Sequence, residues 1–155
     1  MLPSSTKYLK LLGSYEKDEF FHFPERKRYI KYYAQALQEK YNIAKDIAKN
    51  LVSTYGERAY DVLNMIHKRK DLMERLDSNH PFLKGEVLYQ IKCEMAQSPI
   101  DIVVRRTRLG TLDKKAGLEA LPKIVDIFGE VNSWSTSKKK QVFSQCFDEF
   151  IRMDF

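Results

Sequence analysis

Apolar side chains recur every three or four residues along most of this chain, which is the spacing of amphipathic helices. From Pro24 onward this spacing predicts three consecutive helices. Their buried faces contain Ile30, Tyr33, Ala34, Leu37 and Tyr41 in the first, Ile43, Ala44, Ile47, Ala48, Leu51, Val52 and Tyr55 in the second, and Ala59, Val62, Leu63 and Ile66 in the third. No segment alternates with period two for long enough to form a strand. The pattern therefore predicts an all-α fold: a single compact domain of about seven helices, with short connections and no sheet.

Capping and helix-breaking residues indicate where these helices begin and end. Asn42 is expected to cap the second helix, and Gly56 to end it. Pro122 lacks a backbone N–H and disfavours helical geometry at Leu121, so we expect a break or kink there and a new helix from Pro122. A last helix should dock firmly through two apolar rows. Its expected cap and apolar positions are Ser135 or Ser137, followed by Val142, Phe143, Cys146, Phe147, Phe150 and Ile151.

Residues 1–23 differ from the rest because their aromatic side chains follow no clean period. We therefore divide the chain into residues 1–23, an N-terminal arm or insertion, and residues 24–155, a helical domain. The first residues have neither a long apolar core nor a sustained arginine-rich, acid-poor composition, so we expect no targeting signal there.

The stretch from Pro81 to Asp113 carries the most distinctive pattern. A helix is expected over residues 85–96, with one face formed by Val87, Leu88, Ile91 and Met95. Ser98 is a cap residue, Pro99 suits a first helical position and Asp101 places an acid near the positive helix end. A second helix should therefore start at Pro99. Its expected buried side contains Ile100, Val103, Val104 and Thr107.

Three arginines follow along this second helix and define the candidate site. Arg105 lies one turn after Asp101, so the two should pair. Gly110 is expected to give a left-handed stop, with Thr111 or Asp113 capping the next helix. The site is either an internal network of ion pairs and caps, or a surface whose guanidinium groups bind a partner's carboxylates or phosphates. The residues of this candidate domain-interface or ion-pair network are Glu86, Glu94, Asp101, Arg105, Arg106, Arg108 and Asp113.

The run Arg105-Arg106-Thr107-Arg108-Leu109 after Asp101 is the most specific motif of the chain. The other residues of the same ordered pattern are Leu51, Tyr55, Gly56, Ala59, Pro81, Phe82, Leu83, Glu86, Val87, Tyr89, Glu94, Ala96, Leu112, Asp113, Leu121, Pro122, Val125, Asp126, Ile127 and Trp134. In this order they resemble the C-terminal helical domain of FAD-dependent, quinone-linked glycerol-3-phosphate dehydrogenases and the related glycerophosphate oxidases. The resemblance covers roughly residues 37–134, and residues 1–23 have no counterpart in it.

This resemblance implies an accessory role. The parent enzymes oxidise glycerol 3-phosphate to dihydroxyacetone phosphate and pass electrons to FAD and then to quinone, in a flavin domain of the same polypeptide that this sequence lacks. The chain would brace or cover that flavin domain or contribute dimer contacts, with no catalytic, cofactor-binding or metal-binding residue of its own. By itself it should be inactive. In a eukaryote, the resemblance implies a peripheral position at the mitochondrial inner membrane, with ubiquinone as acceptor.

Composition supports a globular helical domain and excludes several kinds of site. Hydrophobic residues make up 43% and charged residues 31% of the 155 residues. No apolar run approaches the roughly 18 residues that a membrane span requires, so we expect a domain soluble by itself. None of the six glycines lies two or three residues from another, which excludes a dinucleotide-binding glycine motif or a P-loop. The three histidines are isolated, and the two cysteines lack metal-ligand spacing and are expected to be buried free thiols.

The positive charge suggests an alternative of a different class. A formal net charge of +6 and a pI near 9.2 fit an independent basic helical module that binds nucleic acid or an anionic membrane. The basic residues are spread over several helices, however, and no known nucleic-acid-binding motif is present. This alternative therefore ranks behind the accessory domain.

Overall fold

The computed structural model describes residues 23–153, with side chains from residue 27 onward. The arm expected at residues 1–23 lies outside the described residues except for its last position. The described part contains seven α-helices: α1 (Phe23–Tyr41), α2 (Lys45–Tyr55), α3 (Ala59–Ile66), α4 (Lys84–Cys93), α5 (Leu109–Leu112), α6 (Lys114–Val131) and α7 (Thr136–Arg152). A π-helical segment, Asp101–Arg106, lies between α4 and α5, and 3-10 turns occur at Gly56–Arg58 and Lys70–Met73. Extended pairing in residues 23–153 amounts to one isolated bridge, so the all-α class is confirmed.

The chain divides into two compact units, residues 1–63 and 64–155. In the first unit, α1, α2 and most of α3 bury the apolar faces that their spacing predicts. The buried side chains are Ala34, Leu37, Ile47, Ala48, Leu51, Val52, Tyr55, Ala59, Val62 and Leu63. No described helix is long and apolar enough to cross a membrane.

The caps of the first unit differ partly from expectation. Gly56 ends α2 with a positive φ of 59°, as predicted. Asn42 does not cap α2, because Ala44 occupies that position without a side-chain hydrogen bond. Asn42 instead has φ 51°, and its amide donates to the carbonyl of Gln38 at 2.9 Å. A side chain that tolerates the left-handed region has therefore closed the preceding helix rather than opened the next one.

The second unit is built around α6, which packs against α4, α5 and α7. Its core draws on every helical element of residues 64–153. The largest buried side chains include Ile66, Leu72, Leu76, Leu83, Tyr89, Ile100, Ile102, Phe128 and Phe150.

The break expected at Leu121 is wrong, because α6 continues through Pro122 from Lys114 to Val131. Pro122 lies on the exposed side of the helix. The hydrogen bond that proline cannot donate is therefore lost near solvent, where water can satisfy the free carbonyl. Burial of Leu121 and Ile124 on the opposite side holds the helix together.

The left-handed stop expected at Gly110 is also wrong, because that conformation falls on Arg108, with φ 55° and ψ 16°. Gly110 lies inside α5, and close packing explains why it has no side chain. A Cβ atom there would lie 2.3 Å from Cε2 of Phe150, and one at Gly117 would lie 2.7 Å from Cα of Gly110. The two glycines let the Phe150 ring of α7 rest directly on the backbone of α5 and α6.

The last helix buries one of its two predicted apolar rows. Ser135 caps α7 by accepting from the amide of Lys138 at 3.2 Å, as predicted. Cys146 and Phe150 are buried, whereas Phe147 and Ile151 are 39% and 47% exposed. The double row therefore docks on one side within the described residues.

The contact between Gly110 and Phe150 gives a direct stability test. We expect Gly110→Ala to lower the free energy of unfolding by about 1–3 kcal/mol, because the new methyl group overlaps a ring that is fully buried. Gly129→Ala is the matched control, since the three atoms nearest to a Cβ atom there all belong to the flexible side chain of Lys139. Urea denaturation of the two variants should separate them, and equal losses would contradict this account of Gly110.

Candidate functional site

The segment from Ser98 to Arg108 begins with a reciprocal cap. The hydroxyl of Ser98 accepts from the amide of Asp101 at 3.3 Å. One carboxylate oxygen of Asp101 accepts from the amides of Gln97 and Ser98 at 3.1 and 3.0 Å. The other oxygen accepts from Arg105, one turn on, so the predicted ion pair is present. Partial burial by itself raises the pKa of Asp101, but hydrogen bonds from Arg105 and the two amides outweigh it, so that pKa lies below its ordinary value.

The backbone of this segment is wider than the expected α-helix. The amide of Thr107 donates to the carbonyl of Ile102, five residues back, at 2.9 Å. The hydroxyl of buried Thr107 donates to the same carbonyl at 2.8 Å and accepts from the amide of Leu109 at 3.2 Å. This π-helical geometry turns Ile102 into the core and leaves Val104 half-buried, which corrects the predicted face of Ile100, Val103, Val104 and Thr107. π-Helical segments are rare in proteins, and those that occur often lie at functional sites.

Arg106 joins the end of α4 to the π-helical segment. One guanidinium nitrogen donates to the carboxylate of Glu94 at 2.7 Å, and the other donates to the Glu94 main-chain carbonyl. Both side chains are 28% exposed, so the pair is shielded from water more than a surface ion pair. The clamp also fixes the end of α4, where Met95 adopts φ 57°.

Arg108 contrasts with the other two arginines. Its side chain is exposed and makes no hydrogen bond or ion pair with any described residue. The backbone around it is nevertheless fixed, because the amides of Thr111 and Leu112 both donate to its carbonyl. The segment thus holds Arg108 in place without using its charge.

The remaining two candidate residues cap helices. Glu86 is buried, and its carboxylate accepts from the amide of Leu83 at 2.8 Å at the start of α4. Asp113 accepts from the amide of Ala116 at 3.0 Å at the start of α6. The seven predicted residues therefore divide into two helix caps, two ion pairs and one outward arginine.

A second polar cluster, which the sequence did not reveal, organises the loop before α4. Asp77 is 4% exposed, and its carboxylate lies 2.7 Å from Nδ1 of His80 and 2.9 Å from the amide of Asn79. Because a carboxylate only accepts, Nδ1 of His80 carries the proton. The hydrogen bond from His80, against the effect of burial, holds the pKa of Asp77 below its ordinary value. Arg75 donates to the carbonyl of His80 at 3.0 Å.

A groove of about 550 Å³ lies between the 3-10 turn Lys70–Met73, the start of α4 and the helices α6 and α7. Its lining includes Lys84, Lys123 and Lys139, each of which already has a partner. The partners are Glu74, the carbonyl of Leu76 and Asp126, respectively. No group of three His, Cys, Asp or Glu side chains in the described part of the chain is arranged to hold a metal ion. The three lysines of the groove are thus already neutralised or hydrogen-bonded, which weakens their attraction for an anionic ligand.

The described residues define an all-helical domain in which Glu86, Asp101 and Asp113 stabilise helix starts. Comparison with known proteins identifies the family of this helical domain. The family model for the C-terminal domain of alpha-glycerophosphate oxidase matches residues 4–139, and the chain belongs to this family. The match takes in most of residues 1–23, where the motifs indicated no counterpart.

Mitochondrial glycerol-3-phosphate dehydrogenases are similar to this chain. The rat protein is 39% identical and the human protein 38% identical over 109 residues, which cover 68% of this chain and 15% of each relative. The Arabidopsis thaliana protein is 32% identical over 140 residues, which cover 88% of this chain and 22% of that relative. The chain therefore spans about a fifth or less of these relatives. No solved structure matches it.

The two arginine ion pairs should differ in their effect on stability. We expect Arg106→Gln to lower the free energy of unfolding by about 1.5–3 kcal/mol, because it removes charged hydrogen bonds from the half-buried Glu94. Arg105→Gln should cost about 1 kcal/mol or less, because Arg105 is 65% exposed and Asp101 keeps its two backbone donors. Chemical denaturation of both variants tests this order, and a larger loss for Arg105→Gln would contradict it.

The Asp77 cluster predicts a contribution to acid stability. The pKa of Asp77 is lowered in the folded state, so its stabilising effect is complete above its ordinary pKa of 3.8 and is lost as the pH falls through the lower folded value. Asp77→Asn should lower stability at neutral pH by about 1 kcal/mol, since a charged acceptor becomes neutral. The variant should also lose less stability than the parent chain as the pH falls below that ordinary pKa. Thermal unfolding across that range measures both effects, and parallel curves would contradict the assignment.

Proposed function

We propose that this chain is the accessory C-terminal domain of an FAD-dependent glycerol-3-phosphate dehydrogenase, and that it braces or covers the flavin domain without taking part in hydride transfer. The observation that carries this proposal is the family match together with its extent. The chain belongs to a C-terminal domain family and corresponds to 15–22% of the length of similar dehydrogenases. In this proposal the reacting groups of the enzyme lie in the larger remainder.

The geometry of the described residues supports a bracing role. Glu86, Asp101 and Asp113 satisfy backbone amides at helix starts, and Arg106 ties two elements together. These side chains are engaged in hydrogen bonds within the fold, so they are not available to transfer protons in catalysis. The sequence also lacks the closely spaced glycines that let a backbone approach a dinucleotide pyrophosphate.

In this proposal the remainder of the enzyme oxidises glycerol 3-phosphate to dihydroxyacetone phosphate. Electrons pass to FAD in the flavin domain and then to quinone. The similar dehydrogenases are named as mitochondrial proteins, which supports a mitochondrial location for this domain. A peripheral position on the inner membrane, with ubiquinone as acceptor, extends the proposal further. The similar proteins give no support to the alternative of an independent nucleic-acid-binding or membrane-binding module.

The proposal that FAD binding and catalysis belong to another domain has a simple test. We expect the purified chain to show no flavin absorbance in the near-ultraviolet and blue, and no glycerol 3-phosphate-dependent dye reduction. The reason is that the cofactor and the hydride acceptor belong to another domain. A full-length similar dehydrogenase, such as the rat protein, is the positive control. Stoichiometric flavin or turnover in the purified chain would overturn the proposal.

A further inference from the structure

We propose that Arg105 and Arg108 dock against carboxylates on the flavin domain, with Met95 and Leu112 as the apolar contacts beside them. These four residues form the arginine patch. The inference rests on the function proposed above and names the surface through which the chain touches the rest of the enzyme. Four observations carry it: a strained backbone, unused guanidinium donors, exposed apolar neighbours and the length of the similar dehydrogenases outside the match.

The backbone of Arg108 occupies a conformation that costs free energy for any residue with a Cβ atom. Its φ of 55° lies in the left-handed region, which glycine or asparagine adopts more readily. Its neighbours Thr107 and Leu109 are both buried and fix it there. The arginine side chain gains no compensating hydrogen bond or ion pair from the described residues. A strained residue held by its surroundings is typical of binding and active sites, so the observed outlier points to an external contact.

The guanidinium groups of the patch retain donors for such a contact. Arg105 is 65% exposed and pairs with Asp101 through one terminal nitrogen. A guanidinium has five N–H donors, so most of those on Arg105, and all of those on Arg108, remain available within the described part of the chain. Planar guanidinium forks bind carboxylates through two parallel hydrogen bonds. The patch therefore matches an acidic protein surface.

Two exposed apolar residues are linked to the arginine segment through the backbone. Met95 and Leu112 are 79% and 68% exposed, more than any other large apolar side chain among residues 64–153. Met95 directly follows Glu94, which Arg106 holds, and the amide of Leu112 donates to the carbonyl of Arg108 at 2.9 Å. Methionine and arginine are both enriched at protein interfaces. In a docked state, these two groups add apolar contact to the guanidinium hydrogen bonds.

The partner that binds the arginine patch is inferred from how little of the similar dehydrogenases this chain covers. Similar dehydrogenases have roughly four-fifths of their length outside the matched region, since the match covers 15–22% of them. A covalently joined domain is present at high effective concentration, so even a modest patch can stay docked. The fixed backbone at Arg108 lowers the ordering cost of binding. Carboxylates of the flavin domain are therefore the assigned partner.

The test uses a complete enzyme. In the rat dehydrogenase, the matched 109 residues are replaced by residues 1–155 of this chain, so that the chimera carries Arg105, Arg108 and Arg152. Glycerol 3-phosphate-dependent dye reduction by this chimera tests the proposed function, and its loss would overturn both proposals. The docking readout is the temperature at which flavin fluorescence appears on heating. Substitution of Arg105→Gln together with Arg108→Gln should lower that temperature by several degrees, because the flavin domain loses its contact.

Two further variants separate docking from folding and from general charge. Arg152→Gln is the matched control, since Arg152 is also exposed and makes no hydrogen bond or ion pair with the described residues, and it should leave the flavin-release temperature unchanged. Arg108→Gly relieves the left-handed strain, so the melting temperature of the isolated chain should stay unchanged or rise. The same substitution should lower the flavin-release temperature of the chimera, because it removes a docking arginine.

An active chimera in which the arginine variants release flavin at the same temperature as Arg152→Gln would overturn the docking surface alone. Arginine-dependent binding of the chain to anionic vesicles, without an effect on flavin release, would also overturn it.

Discussion

The hydroxyl of Thr107 sets the course of the chain from the π-helical segment into α5. It is buried, donates to the carbonyl of Ile102 and accepts from the amide of Leu109. These two bonds close the π-helical segment and direct the chain into α5 through the left-handed Arg108. Because α5 then begins in a fixed direction, Gly110 meets both Gly117 and the ring of Phe150. One side-chain oxygen thus links the arginine-bearing segment to the packing of the last two long helices.

This backbone course gives three nearby arginines three different environments. Arg105 lies beside Asp101 at the surface, Arg106 reaches back to α4, and Arg108 extends outward. The π-helical hydrogen bond ends at Thr107, and the left-handed Arg108 then changes the direction of the chain. The motif therefore combines a structural clamp with an available charge. This combination suits the docking on the flavin domain that we propose.

The sequence predicted the helices well where burial alone decides the structure. The spacing of Ala59, Val62, Leu63 and Ile66 determined α3, since all four residues are buried. The pairing of Asp101 with Arg105 also followed from spacing, because it depends on local geometry. The family was accessible through the ordered motif around Arg105, which physical chemistry alone would not have named.

Other features depended on tertiary context, which the sequence alone does not specify. Pro122 breaks an isolated helix, but packing on the opposite face keeps α6 continuous. The left-handed position is at Arg108, whereas Gly110 is needed for the close approach of Phe150, and the sequence alone did not separate these two roles. The partnership of Arg69 with Glu130 joins residues 61 positions apart, for which one sequence carries no signal.

The two cysteines of the chain differ in a way that has a practical consequence. Burial raises the pKa of the Cys146 thiol to about 11, so near neutral pH it stays protonated and shielded from reagents. Cys93 is exposed at the end of α4, one residue before the clamped Glu94. The expectation that both thiols are buried is therefore wrong for Cys93. A maleimide dye would attach selectively there, which gives the native chain a built-in reporter beside its arginine-rich turn without any engineered label site.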